Sequence, residues 1–178
     1  LVEKMTQIMF QGEASRISGL LEKLPPTEIH SRPQLSIFTA WMYLLRGQFN
    51  QAGELMRNLE AMLSAISSPD ETAVLTGHIA AIRAFLTRND GDLPRAIALS
   101  EQARVQLPES EDNVLQRSLN LINLGVAYAL NGDFEPALNT LAEAKTVSHK
   151  AGIMAVTLGA AYEIAQIYLA QGQLRKAI

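Results

Sequence analysis

The stretch NLGVAYALNGDFEPALNTLAEA, residues 123–144, decides the fold of this chain. Small and aromatic residues recur at helical spacing up to Asn131, the pair Gly132-Asp133 interrupts them, and a second apolar pattern starts at Phe134. A glycine just past a helix end adopts a positive φ without steric cost, and an aspartate beside it is a good N-cap for the next helix. The stretch therefore predicts two helices joined by a tight turn.

The same turn recurs along the chain at intervals of about 40 residues, which indicates an internal repeat. In most copies a glycine is followed by a polar residue, a large apolar residue and then, three positions further on, an alanine. The first copy departs from this pattern, with Ala14 and Ile17 in the last two positions. The segments aligned on Gly12, Gly47, Gly91, Gly132 and Gly172 are FQGEASRIS, LRGQFNQAG, NDGDLPRAI, LNGDFEPAL and AQGQLRKAI.

The helix before four of these glycines carries a small residue seven positions upstream and, in three copies, a tyrosine four positions upstream. A small residue one turn from a large one lets two helices approach closely, so we assign both positions to packing. The copy around Gly91 keeps Ala84 but has Thr87 in place of the tyrosine. The other residues of this pattern are Ala40 with Tyr43, Gly125 with Tyr128, and Ala165 with Tyr168.

Caps and helix breakers predict helices over roughly 1–11, 13–24, 34–46, 49–66, 70–88, 93–107, 112–131, 134–149, 153–171 and from 173 onward. Proline-containing connectors occupy 25–33, 67–71 and 107–112. The expected fold is all-α, a right-handed α-solenoid of antiparallel helix hairpins. It forms a single segment over 1–178 with about five repeat units, the first and last incomplete. We also expect this segment to be excised from a longer chain.

Composition argues against several classes of function. The net charge of −3 and the scattered basic residues do not fit a nucleic-acid-binding surface, and no apolar run is long enough for a membrane span. The absence of cysteine fits a reducing compartment, so we expect a cytoplasmic protein. His30, His78 and His149 match no metal-ligand spacing, and no motif nominates a catalytic residue. We therefore expect no enzyme activity, metal or cofactor.

The clearest repeat unit resembles a tetratricopeptide repeat. The residues that carry this resemblance are Leu121, Leu124, Gly125, Tyr128, Gly132, Phe134, Ala137, Leu141 and Ala144. More specifically, residues 31–60, SRPQLSIFTAWMYLLRGQFNQAGELMRNLE, resemble the repeat region of MalT-like regulators of the LuxR family. The marks of that region are present as Arg32-Pro33, Leu35, Ala40-Trp41, Gly47 and Ala52.

The resemblance implies a role in signal transduction. In MalT-like regulators a repeat superhelix lies between a nucleotide-binding module and a C-terminal helix-turn-helix module, and it senses an inducer or a protein partner. This chain would be part of that sensor in a bacterial transcriptional regulator. It contains no G-x-x-x-x-G-K-[ST] stretch that cradles phosphates. Nucleotide and DNA binding are therefore expected elsewhere in the parent chain.

The candidate binding surface is the face of the first helices that the packing positions leave free, because stacked hairpins bind partners on their concave side. This face is apolar and has no lysine, which does not support a lysine clamp for a carboxylate. It suits an apolar or aromatic-anchored inducer or protein segment. Its members are Ile37, Trp41, Leu44, His78, Phe85, Arg88, Leu119, Ile122, Val126, Tyr162 and Gln166.

Two alternatives stay open at this point. A lone tryptophan with flanking leucines, such as Trp41, also fits core packing, and the apolar residues of 119–130 also fit a helix buried on both sides. Residues near either end of the segment would normally touch further repeats, and their exposure would allow self-association. In terms of function, the alternative to a sensor is a general scaffold that docks another protein without any small-molecule signal.

Overall fold

The computed structural model of the chain describes residue 19, residue 21, residues 23–63 and residues 68–177. Within these ranges the chain forms eight α-helices and no strand, which confirms the all-α prediction. The helices are α1 (Pro26–His30), α2 (Pro33–Leu45), α3 (Phe49–Met62), α4 (Pro69–Asn89), α5 (Leu93–Gln106), α6 (Val114–Asn131), α7 (Phe134–Lys150) and α8 (Met154–Ala170). Two 3-10 turns, Glu111–Asn113 and Leu174–Lys176, complete the described secondary structure.

Three helical hairpins are closed by the glycine turns that the sequence pattern predicts. Gly47, Gly91 and Gly132 have φ values of 72°, 88° and 90°, and they join α2 to α3, α4 to α5 and α6 to α7. Gly172 after α8 has a φ of 71°. Gly12 lies outside the described residues. The repeat pattern does not include Gly152, which has a φ of 71° and lies in the turn between α7 and α8.

The hairpins stack into a solenoid. The first helix of each unit contacts the first helix of the next, so that α2, α4, α6 and α8 form one row. The second helices α3, α5 and α7 each pack against the first helices on either side of them in the chain. This is the arrangement of a tetratricopeptide-like repeat array, in which a continuous core forms between neighbouring units.

The small residues of the repeat lie at close helix contacts. Ala40 and Ala84 are fully buried. A Cβ atom added to Gly125 would lie 2.6 Å from Cγ of Leu141, on the facing helix α7, and 3.3 Å from the carbonyl oxygen of Ala137. Real Cβ atoms do not approach other atoms so closely. Glycine is therefore required at this point for α6 and α7 to pack as they do.

The predicted connector at 25–33 is wrong in one respect, because it contains the short helix α1. Pro26 occupies the first turn of α1, where the missing N–H removes no intrahelical hydrogen bond. Ile29 is 7% exposed and joins the core, and its carbonyl accepts a hydrogen bond from Ser36 Oγ at 2.7 Å. The predicted α-helix from 173 onward is a 3-10 turn at Leu174–Lys176. The predicted helix over 1–11 and most of that over 13–24 lie outside the described residues.

The two aspartates that precede second helices differ in their capping. Asp92 Oδ1 accepts a hydrogen bond from the backbone N–H of Arg95 at 3.3 Å. The side chain of Asp133 makes no capping bond, and its Oδ2 accepts instead from Asn131 Nδ2 at 2.7 Å. The prediction that both aspartates cap through their side chains therefore holds only for Asp92.

This difference gives a testable expectation for stability. Asp92→Ala should lower the free energy of unfolding by about 1 kcal/mol, because it removes the N-cap bond of α5. Asp133→Ala is the matched control and should cost at most about 0.5 kcal/mol. Urea unfolding followed by far-UV circular dichroism measures both values. Equal losses in the two variants would contradict the capping difference.

Candidate functional site

The first three predicted contact residues lie in the core. Ile37, Trp41 and Leu44 are 4%, 6% and 5% exposed, and they belong to one hydrophobic cluster built from α1 to α5. Trp41 is therefore a core residue, which is the alternative that the sequence left open. Ile37 also lines a cavity, which is described below.

A second group of predicted residues is half-buried near the end of α4. The guanidinium carbon of Arg88 lies 4.8 Å from the centroid of the Phe85 ring, which in turn lies 6.0 Å from the ring of Phe49. Burial lowers the pKa of Arg88, and the charge of Glu163 on α8 acts in the opposite direction. Burial also raises the pKa of Glu163, and Arg88 lowers it. The first helices α4 and α8 are therefore coupled electrostatically.

The remaining predicted residues lie on α6 and α8. Leu119, Ile122 and Val126 are half-buried, and Ile122 packs against a cluster that contains Ile167 of α8. Tyr162 is 59% exposed, and Gln166 is also exposed. The eleven predicted residues thus do not form one continuous surface, because they divide into core, half-buried and exposed groups along the row of first helices.

Two of the predicted residues, Ile37 and His78, line a cavity of about 210 Å³ between three successive first helices. α2 and α4 form its sides, and the start of α6 closes it. The cavity is mostly apolar. Its lining residues are Gln34, Ile37, Phe38, Glu71, Val74, Leu75, His78, Asn113 and Gln116.

His78 is the polar centre of this cavity. It is 5% exposed, and burial lowers its pKa from 6.5 to about 4, so the imidazole is neutral at pH 7. A hydrogen bond with Asn113 acts in the opposite direction and raises the pKa. Nδ1 of His78 has no partner. We infer that the second ring nitrogen carries the proton, so that Nδ1 is a buried acceptor.

Gln116 supplies a second unsatisfied acceptor on the cavity wall. Its side chain is 5% exposed in all, and its Oε1 makes no hydrogen bond. Asn113, which lies one turn before it, is fixed by a bond from its Nδ2 to Ser110 Oγ at 3.0 Å. Buried polar atoms normally have partners, since an unsatisfied one costs about 1–3 kcal/mol. The cavity thus presents two unsatisfied acceptors, and a ligand that fills it should supply a hydrogen-bond donor.

The rim of the cavity is acidic. Gln34 Nε2 of α2 donates to Glu71 Oε1 of α4 at 3.1 Å, and this bond connects the two helices at the exposed edge. None of the nine described lining residues is a lysine or an arginine. The site therefore has no group that would attract an anion.

His78 also makes the stability of the chain depend on pH. Its pKa is about 4 in the folded chain and 6.5 in the unfolded chain, so between these values only the unfolded chain binds the proton. The contribution of neutral His78 is complete above pH 6.5 and is lost as the pH falls towards 4. We expect a loss of about 2 kcal/mol between pH 7 and pH 5. Urea unfolding at both values should show it, and His78→Leu should lack this part of the loss. Equal losses in the two proteins would contradict the assignment.

Sequence reasoning missed the contribution of α6 to this site. Asn113, just before α6, and Gln116, Asn120 and Asn123 within it form a polar row at helical spacing, and all four are buried. Asn120 and Asn123 donate to the backbone oxygen and the hydroxyl of Ser100 on α5, at 2.9 and 3.2 Å. The row was visible in the sequence, and it indicates a buried polar contact. Which of its members face a cavity depends on the packing of three helices.

A cavity of about 480 Å³ elsewhere in the fold is a weaker candidate. It lies between α3, the end of α4 and the start of α5, and its lining is mostly polar. Arg57 and Arg95 in its wall are exposed, and Arg83 is paired with Glu60 by two hydrogen bonds from its guanidinium. These are the features of an ordinary solvated surface.

The described part of the chain contains no group of three or more histidine, cysteine, aspartate or glutamate side chains placed to hold a metal ion. Over the same residues, no helix is both long and apolar enough to cross a membrane.

Comparison with known proteins identifies the class of this chain. The family model of the MalT-like TPR region matches residues 77–178, and the chain belongs to this family. Among curated proteins it is similar to the HTH-type transcriptional regulator MalT of Vibrio parahaemolyticus serotype O3:K6 (strain RIMD 2210633). The two are 25% identical over 170 residues, which cover 94% of this chain and 18% of the relative. The chain thus spans less than a fifth of the length of that relative. No solved structure matches the chain. The resemblance inferred from the repeat motifs is confirmed.

Proposed function

We propose that this chain is the signal-sensing repeat region of a bacterial transcriptional regulator, and that a small inducer binds the cavity between α2, α4 and α6. Membership of the MalT-like TPR family and the similarity to a protein named as a transcriptional regulator support the first part. DNA binding then belongs to another part of the regulator. Since such a regulator acts on the chromosome, the proposal places the chain in the cytoplasm.

The observation that carries the second part is the pair of unpartnered acceptors in the cavity wall, Nδ1 of His78 and Oε1 of Gln116. They come from α4 and α6, and α2 contributes the apolar side chains of Ile37 and Phe38. A ligand in this cavity would touch three successive first helices. It would bind best to one relative arrangement of the three and would therefore shift the population towards that arrangement.

The cavity is tested with benzene, the simplest apolar probe of one-ring size. Val74 lines the cavity and is half-buried, so Val74→Phe places a ring inside it. We expect benzene to bind the wild-type chain and to lose at least about tenfold in affinity in this variant, as measured by NMR line broadening of the probe. Val105→Phe is the matched control, because Val105 on α5 is 86% exposed and lies away from the cavity.

The result is interpretable only if Val74→Phe is folded, which far-UV circular dichroism and the emission of the single tryptophan, Trp41, report. If Val74→Phe is unfolded, Val74→Leu is used in its place, because leucine adds less volume to the cavity. No saturable binding to the wild-type chain, or equal binding to both phenylalanine variants, would refute the cavity as a ligand site.

The regulator part has an independent test. Reading the gene on either side of the segment should show a phosphate-binding loop upstream and a helix-turn-helix downstream. Absence of both from the complete gene would overturn this part of the proposal.

The alternative is a scaffold that docks another protein, and an apolar stripe on α8 favours it. Met154, Leu158 and Tyr162 recur at every fourth position and are 55%, 63% and 59% exposed. The stripe lies on the last described member of the row of first helices, where a helix of a second copy would pack as each first helix packs on the next. If the chain self-associates through this stripe, sedimentation velocity should show dimers that Leu158→Glu abolishes. A monomer at high concentration in both proteins would exclude self-association.

A further inference from the structure

We propose that the cavity between α2, α4 and α6 binds an uncharged, mostly hydrocarbon molecule of about one-ring size that carries a hydroxyl group. This inference rests on the proposed function, since it names the class of ligand for the same cavity. It follows from the size of the cavity, from its acceptors and from the charge at its rim.

The size and the lining of the cavity determine the hydrocarbon part of the ligand. An engineered apolar cavity of about 150 Å³ holds one benzene molecule, and this cavity measures about 210 Å³. Its walls are mostly hydrocarbon, with Phe38, Val74 and Leu75 on facing helices. A single ring with a small substituent therefore fits, and a larger polar molecule would leave its own polar groups without partners.

The two acceptors of the cavity wall determine which polar group the ligand carries. In the tautomer inferred above, Nδ1 of His78 presents a lone pair, and Oε1 of Gln116 can only accept. A ligand with only acceptors, such as an ether or a ketone, would satisfy neither atom. A hydroxyl group donates one hydrogen bond, which satisfies one of the two acceptors, and it is small enough to lie at the apolar wall.

Charge excludes the other donors and the anions. The burial that keeps the His78 ring neutral also disfavours a ligand ammonium beside it, since charge of either sign is poorly solvated there. The Glu71 carboxylate at the rim repels carboxylates and phosphates, and no lysine or arginine among the described lining residues compensates it. An uncharged donor remains, and a hydroxyl group is the smallest such donor.

The test uses four one-ring probes that differ only in the substituent: benzene, phenol, benzylamine and benzoate. Isothermal titration at pH 7 should show phenol binding about tenfold more tightly than benzene, with benzylamine weaker than phenol and benzoate not binding. Two variants remove the acceptors, His78→Leu and Gln116→Leu. In the double variant phenol should fall to the affinity of benzene, while benzene should bind at least as tightly as before.

The outcomes separate the two levels of the proposal. If benzene and phenol bind equally and both are lost in Val74→Phe, the cavity is a ligand site but the hydroxyl class is wrong. Tighter binding of benzylamine or benzoate than of phenol would also refute the class. If no probe binds in a way that Val74→Phe weakens, the cavity itself is not a ligand site and the proposed function fails with it.

Discussion

Replacing Gly125 by valine is expected to lower the free energy of unfolding by about 3 kcal/mol, because the new side chain has no space between α6 and α7. A single Cβ atom at this position would already lie 2.6 Å from Leu141 Cγ and 2.9 Å from Leu141 Cδ2. Leu141 is fully buried and cannot swing away into solvent. Urea unfolding of the chain, followed by far-UV circular dichroism, measures the loss.

Gly159 provides the matched control on α8. It also lies inside a first helix, but the nearest atom to an added Cβ is Ile122 Cδ1 at 3.7 Å, an ordinary van der Waals contact. Gly159→Ala should therefore be tolerated and should gain up to about 1 kcal/mol from helix propensity. If Gly125→Val unfolds at the same urea concentration as the wild-type chain, the close contact of α6 with α7 is not present in solution.

Truncation of Trp41 to alanine is expected to cost about 4 kcal/mol. The Trp41 side chain is 6% exposed and packs in the cluster that joins α1 to α5, so its removal leaves a large cavity in the core. Trp41→Phe keeps an aromatic ring there and should cost about 1.5 kcal/mol or less. The same unfolding experiment, followed by circular dichroism because Trp41 is the single tryptophan, gives both values.

This experiment also decides between the two interpretations of Trp41 that the sequence allowed. A surface residue of an open groove would lose less than about 0.5 kcal/mol on truncation. A loss of that size in Trp41→Ala would contradict core packing and would restore Trp41 as a candidate contact residue.

Much of the fold could be predicted because its determinants are local. A turn glycine such as Gly91 needs only its own positive φ, and a hairpin needs only two periodic patterns on either side of it. The helix α1 was missed because Pro25 and Pro26 break a preceding helix, while Pro26 also starts a new one. Asp133 was expected to cap α7, but its side chain bonds to Asn131 instead. The sequence does not reveal such a choice between two local partners.

The candidate site was predictable only in part. The predicted binding face includes His78, and His78 does line the cavity. The same predicted face includes Trp41 and Leu44, but these two side chains are buried in the core, where α2 packs against its neighbours. Gln116 was not found, since its role depends on how the start of α6 meets α2 and α4. Sequence periodicity gives the face of one helix, whereas a cavity among three helices requires their relative positions.

The most direct test of the central claim, that a hydroxyl-bearing ligand binds at Nδ1 of His78, is the ¹⁵N NMR spectrum of this imidazole with and without saturating phenol. The His78→Leu variant assigns the resonances. Before phenol is added, one ring nitrogen should show the shift of a free lone pair. On addition that signal should move upfield, as it does when a lone pair accepts a hydrogen bond, and the protonated nitrogen should change little. An imidazole spectrum that phenol leaves unchanged at saturation would contradict the claim.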